Sequence, residues 1–249
     1  MTAVEVVGVS HAFGRGGDRV EVLDDLTLSV AEGEFVSVVG PSGCGKSTLL
    51  HLLAGLADPE AGTARLAGRT AYMPQRDALL PWRRALGNAV LGAEVRGLAP
   101  AEARRSAAAL FEPFGLAGFE RAWPAQLSGG MRQRLALLRT FLTPASILLL
   151  DEPFGALDAI TRRRFQSWLE EVWMVDRRTV LLVTHDVEEA LVLSDRVMVL
   201  SPRPARLVTV VESPFARPRR PGLVTTPEFV ALKASLLVAL DPPFSPRSA

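Results

Sequence analysis

The stretch Gly40-Pro41-Ser42-Gly43-Cys44-Gly45-Lys46-Ser47-Thr48 decides how the rest of this chain is read. Over Gly40 to Ser47 it fits G-x-x-x-x-G-K-[S/T], a phosphate-binding loop. Gly40, Gly43 and Gly45 let backbone N–H groups converge on an anion, and a following helix adds its positive N-terminal end. The flanks agree with this. FVSVV at 35–39 is a strand-sized apolar run, and Leu49, Leu52, Leu53 and Leu56 form the stripe of a core-facing helix opening at Thr48. Lysine occurs only at positions 46 and 233, the other basic residues being arginine. A compact ammonium among phosphates does not exchange freely for a guanidinium, which sets Lys46 apart.

A single loop of this kind arises by chance in roughly one chain of this length per hundred, so the surroundings must support it. The 249 residues permit one or two domains. A net charge of +1 creates no field favouring nucleic acid or an anionic membrane. Cys44 is the only cysteine, a small filler within the loop, and points to a reducing compartment. Hydrophobic residues make up 48 %, yet no apolar run reaches the ~18 residues that span a bilayer. The amino terminus MTAVEVVGVS has no secretory pattern. The expectation is a soluble chain whose excess apolar surface is reserved for a partner.

FVSVV, SILLL (146–150) and VLLV (180–183), separated by helical stretches, predict an α/β fold with a mostly parallel sheet. Phe165, Trp168, Leu169 and Val172 stripe a second helix that Asp158 could cap, and Asp186 with Glu189 reads as a capping box opening a third. Before Gly40, VEVVGVSHAF, EVLDDLTLSV and GEFVSVV read as antiparallel strands turning at Gly16-Gly17 and Glu32-Gly33. Residues 76–142, rich in Ala, Arg and Leu and punctuated by Pro81, Pro100, Pro113 and Pro124, read as an inserted α-helical subdomain. After Ser201 the chain predicts a short strand, a solvated connector, and a helix from Thr226-Pro227-Glu228 to about Leu240, with a frayed tail after Asp241. The expected division is 1–202 as one unit and 203–249 as an extension too short for a separate regulatory domain.

Chemistry follows from these positions. Lys46 is expected to bridge the β- and γ-phosphates of a nucleotide, and Ser47 to give its hydroxyl to Mg²⁺. Asp151 ends the apolar strand ILLL, where a carboxylate faces the nucleotide crevice and holds the metal. LSGGMRQR (127–134) makes a second phosphate device. Ser128 caps a helix whose inward stripe is Met131, Leu135, Leu138 and Leu142, and Gly129 and Gly130 expose N–H groups at its positive end. Two devices against one phosphate loop suggest a site shared between chains.

In order along the chain, GPSGCGKST, Gln75, LSGGMRQR, ILLLDEP (147–153) and His185 resemble the ATP-binding subunit of an ABC transporter, over about residues 3–202. The resemblance implies a P-loop NTPase core with an N-terminal antiparallel β subdomain and a helical insertion, and ATP and Mg²⁺ as cofactors. It implies that Gly40 to Thr48 bind ATP and that Glu152 is the base activating the attacking water. Gln75 then senses the metal and that water and couples them to the insertion, and His185 is a switch contacting the γ-phosphate. Phe13 matches the aromatic residue that stacks on adenine, with His11 beside it. Ser128, Gly129, Gly130 and Asp158 would contact ATP held by a second subunit packed head to tail. The implied partners are that second subunit, in a homodimer, integral membrane permease subunits and, indirectly, an extracytoplasmic solute-binding protein, with no nucleic acid. The implied location is the cytoplasmic face of the cell membrane. Met131 stands where the family more commonly has glutamine.

QRDALLPWRRALGNAVLGAEVRG (75–97), EPFGALDAITR (152–162) and LSPRPARL (200–207) resemble the nitrate/sulfonate/taurine importer subfamily. AYMPQRD (71–77) looks closer to members linked to thiamine-precursor pyrimidines. Two rival classes are an ABC-type clamp on nucleic acid or the ribosome and a phosphate-loop phosphotransferase. The first wants a long coiled coil or basic patches and the second has no use for LSGG.

Overall fold

The computed structural model describes residues 1–14 and 16–240, so the tail after Asp241 lies outside the described residues. Strands β1 (Thr2–Phe13) and β2 (Val20–Ala31) pair antiparallel around a turn at Gly16–Asp18, as the glycine pair predicts. At Glu32-Gly33 the chain departs from the expected meander. β3 (Phe35–Val39) leaves this sheet and enters the middle of a second one. All five of its residues are buried, which requires cover on both faces. The phosphate loop follows, then α1 (Lys46–Leu53). Gly55, at φ 70°, ends this helix a turn early, so Leu56 is 66 % exposed and is no part of the buried stripe.

β4 (Ala61–Leu66) returns to pair with β1, giving a three-stranded sheet in the order β2-β1-β4. The sequence AGTARL gave no sign of it. Gly62 lies so close to β1 that a Cβ would stand 2.3 Å from the Gly8 carbonyl oxygen, so the crossing needs glycine. After β5 (Thr70–Met73) come the helices of the insertion, α2 (Ala85–Ala89), α3 (Leu91–Val95), α4 (Pro100–Phe111) and α5 (Gly129–Leu142). Leu135 and Leu138 of α5 are buried, while Met131 and Leu142 pack at the margin.

The chain then alternates β6 (Ile147–Asp151), α6 (Ala159–Asp176), β7 (Thr179–Thr184), α7 (Val187–Leu193) and β8 (Arg196–Leu200), and ends with β9 (Leu207–Glu212) and α8 (Pro227–Leu240). The six-stranded sheet runs β5-β6-β7-β3-β8-β9, parallel except for β9. Period-two alternation divides its side chains between cores. Val36, Val38, Leu149 and Leu181 face α1 and the three-stranded sheet. Phe35, Leu148, Leu150 and Leu182 face α6 and the insertion. Val39, Val197 and Val199 meet α7 and α8.

Three local readings need correction. The buried stripe of α6 is Phe165, Leu169 and Trp173, not Val172. Asp186 caps α7, accepting from the N–H groups of Glu188 and Glu189, but Glu189 does not reach back to complete a box. The Asp186 N–H instead donates to the Thr184 hydroxyl, and Glu189 is buried, receiving Gln166. The connector after β9 is not solvated throughout. Arg219 is buried, donating to the carbonyls of Leu191, Val192 and Ser194, and Arg217 joins Glu170 and Asp195 over the Trp173 ring. Composition alone reads such arginines as solvent-facing; burial is affordable because every donated bond meets a carbonyl or carboxylate.

Candidate nucleotide site

β3 and α1 present the phosphate loop at the carboxyl end of the parallel sheet, the crevice where such sheets bind ligands. Gly45 has φ 122°, and a Cβ there would lie 2.7 Å from a Val22 methyl, so the loop both twists and packs as only glycine can. Cys44 is buried inside the loop. Lys46 is buried too, its Nζ donating to the carbonyls of Gly40 at 2.7 Å and Pro41 at 3.0 Å. Beside it lies a cavity of about 320 Å³. Ser42, Gly43 and Gly45 to Thr48 line it, together with Phe13, Val22, Gln75, Glu152 and Arg203. Phe13 is half exposed and stands edge-on to His11, with ring centroids 4.9 Å apart.

Glu152, also in the cavity wall, has a constrained backbone. Its φ is 47°, a left-handed backbone that costs a glutamate about 1 kcal/mol. The conformation is held at both ends. Its N–H donates to the Val183 carbonyl at 2.9 Å, and its own carbonyl accepts the Gln133 amide at 3.1 Å. The turn aims the carboxylate between two partners: Gln75 Nε2 lies 3.2 Å from Oε2, and His185 Nδ1 lies 3.2 Å from Oε1.

Asp151, one residue earlier, points elsewhere. It is buried, and burial raises its carboxyl above the usual range, against a hydrogen bond from Ser47 that lowers it. Its Oδ1 has no hydrogen-bond partner among the described residues. A buried carboxylate oxygen without a partner, beside a hydroxyl and a phosphate loop, fits a divalent hard cation whose other ligands come from phosphates and water.

The remaining expected residues do not join this cavity. The Ser128 hydroxyl accepts from the Met131 N–H at 3.2 Å and opens α5, with Gly129 and Gly130 in its first turn. Asp158 caps α6, accepting from Thr161 and Ile160, bonds that hold its carboxyl below the usual range. Neither group lines the cavity of its own chain. Three residues went unanticipated. Val22 backs Gly45, Gln133 holds the Glu152 backbone, and Arg203 lines the cavity. For Gln133 a signal was available, an amide on the apolar side of LSGGMRQR.

Comparison with known proteins bears on the family and the fold. The family model described as ABC transporter matches residues 23–155. The chain is 48 % identical to an aliphatic sulfonates import ATP-binding protein of Rhodococcus jostii, over 89 % of this chain and 88 % of that one. Identity to the taurine import ATP-binding protein of Pseudomonas aeruginosa is 42 %, covering 95 % of each. To the formylaminopyrimidine import ATP-binding protein of Halalkalibacterium halodurans it is 46 %, covering 78 % of each. Among solved structures, a dimeric ATP-binding cassette in a post-hydrolysis state with ADP and Pi superposes with a TM-score of 0.78 at 27 % identity, over 86 % of this chain and all of that one. The chain is thus an ATPase and belongs to the ABC transporter family.

Proposed function

We propose that this chain energises an importer for a sulfonate-, taurine- or nitrate-like anion or a small pyrimidine-type heterocycle. In this reading two copies close on two ATP molecules beneath permease subunits, at the cytoplasmic face of the cell membrane. The observation that carries it is the pair of contacts on Glu152. One carboxylate oxygen meets Gln75, at the entrance to the helical insertion, and the other meets His185, between β7 and α7. A base so placed takes the proton of an attacking water while reporting to both flanking segments.

The link to the insertion is built of arginines on α5. Arg132 pairs with Asp77 at 2.9 Å, and Arg139 donates to the carbonyls of Asp77 and Ala78. The helix that opens with Ser128, Gly129 and Gly130 is therefore tied to the segment following Gln75. Engagement of Ser128 and Gly129 by a partner copy's ATP would pull on that segment, and the insertion would hand the motion to the permease. Lys46, the loop N–H groups and Thr48 hold the phosphates, and Phe13 stacks on the base. Ser47, Asp151 and Gln75 would hold Mg²⁺, which supplies neutralisation of phosphate charge when bound.

The test is affinity capture from native membranes with Glu152→Gln protein held in ATP. Hydrolysis falls by at least a hundredfold with ATP binding retained, and a multi-helix permease is recovered, ideally with a solute-binding protein. Recovery of ribosomal or DNA-associated proteins with no membrane protein enriched would overturn the importer reading and leave the ATPase intact.

A further inference from the structure

Arg203 lies in the loop between β8 and β9, which the reaction above leaves without a role. The loop is fastened at a defined place. Ala205 is buried and bonds to β2 on both sides, its N–H donating to the Val22 carbonyl at 2.8 Å and its carbonyl accepting from Asp24 at 3.1 Å. Val22 is the residue whose methyl backs Gly45. One strand therefore registers the Arg203 loop against the phosphate loop.

The outcome is a second cation at the nucleotide cavity. Arg203 lines it together with Lys46, and its Nη2 lies 3.7 Å from where a Cβ on Gly43 would stand. Its neighbour Arg206 has a different task, being paired with Asp24. No carboxylate among the described residues pairs with Arg203. A triphosphate carries more negative charge than one lysine and one divalent ion neutralise, and a guanidinium is suited to bidentate contact with phosphate oxygens.

We propose that Arg203 is a nucleotide-binding residue whose guanidinium contacts the phosphate chain of ATP and ADP at the Gly43 edge of the loop. The inference rests on the cavity being the ATP site. Because Arg203 is exposed, its contribution is screened by salt and is largest at low ionic strength.

The experiment is calorimetric titration of Mg·ATP and ADP into the full chain carrying Glu152→Gln, at low and high salt, with unliganded thermal melts checking each variant's fold. Arg203→Ala and Arg203→Gln weaken both nucleotides by about tenfold at low salt and by less at high salt. Arg203→Lys, which keeps the charge, retains most of the affinity. Equal losses for the Lys and Ala variants, indifferent to salt, overturn the charge contact in favour of packing. Unchanged affinity in all Arg203 variants, while Lys46→Ala abolishes binding, overturns the inference and leaves the ATP site standing. Should Lys46→Ala also bind normally, the site assignment falls and the inference with it.

Discussion

Glu152 and Glu189 are two carboxylates near one strand end with opposite histories. Glu152 faces the cavity and is held there by its backbone; Glu189 is turned inward, where Gln166 donates to one carboxylate oxygen and the other has no hydrogen-bond partner among the described residues. Burial pushes the Glu189 carboxyl from 4.5 up to about 7. The unfolded chain therefore loses this proton at lower pH than the folded one does. Stability on this account is full below pH 4.5, falls between 4.5 and 7, and stays reduced above that. Glu189→Gln removes the charge and leaves one N–H without an acceptor, so it should gain about 2 kcal/mol at pH 8 and lose about 1 kcal/mol in acid. Chemical denaturation at both pH values checks this; an equal effect at both would mean that folding leaves the titration of this carboxyl unchanged. Lys46, Ser47 and Asp151 were legible in the sequence because a contiguous loop and a strand end fix their surroundings. Gln133 and Arg203 were not, since the groups they meet are assembled only by the fold.

At the scale of the element, the connector after β9 shows what periodicity misses. PFARPRRPG has no pattern of its own, and its buried Arg219 and partly buried Arg217 are stabilised by groups on α6 and α7 that lie far away in sequence. Arg217→Ala should leave Glu170, almost wholly buried, short of its main countercharge, costing about 3 kcal/mol and about 10 °C in Tm. Removing both charges, as Arg217→Met with Glu170→Gln, should recover much of that loss. Thermal unfolding of the single and double variants decides it; a single variant that melts with the parent would show the pair to be idle. The parallel strands read correctly from their unbroken apolar runs, and α8 began where its proline predicted. β4 escaped because AGTARL is held by the neighbouring backbone of β1, with little apolar burial of its own.

At the scale of the whole molecule, the phosphate loop and the glycine-rich start of α5 do not meet within one chain. The Ser128 helix end lies outside the cavity lined by the phosphate loop, which is the arrangement a head-to-tail pair requires. Among the described residues no helix is long and apolar enough to cross a membrane, yet Trp82, Ile160 and Val175 are largely exposed. Gly130→Asp places an anion at the positive end of α5 without touching the cavity. ATP affinity of the single chain should be unchanged, while the ATP-dependent dimer of Glu152→Gln protein disappears in light scattering and hydrolysis falls at least a hundredfold. A dimer that persists in the double variant would place the interface elsewhere.

The grip of Arg219 on the last carbonyls of α7 has a kinetic consequence at the other end of that helix. A helix clamped at its tail acts as a fixed post, not a piston, and the histidine standing just before its cap cannot be carried along the axis. His185 leaves Glu152 only by swinging about its own side-chain bonds. For a solvent-exposed ring that is a matter of picoseconds to nanoseconds, so this contact resets far faster than the microsecond-to-millisecond motions of whole segments.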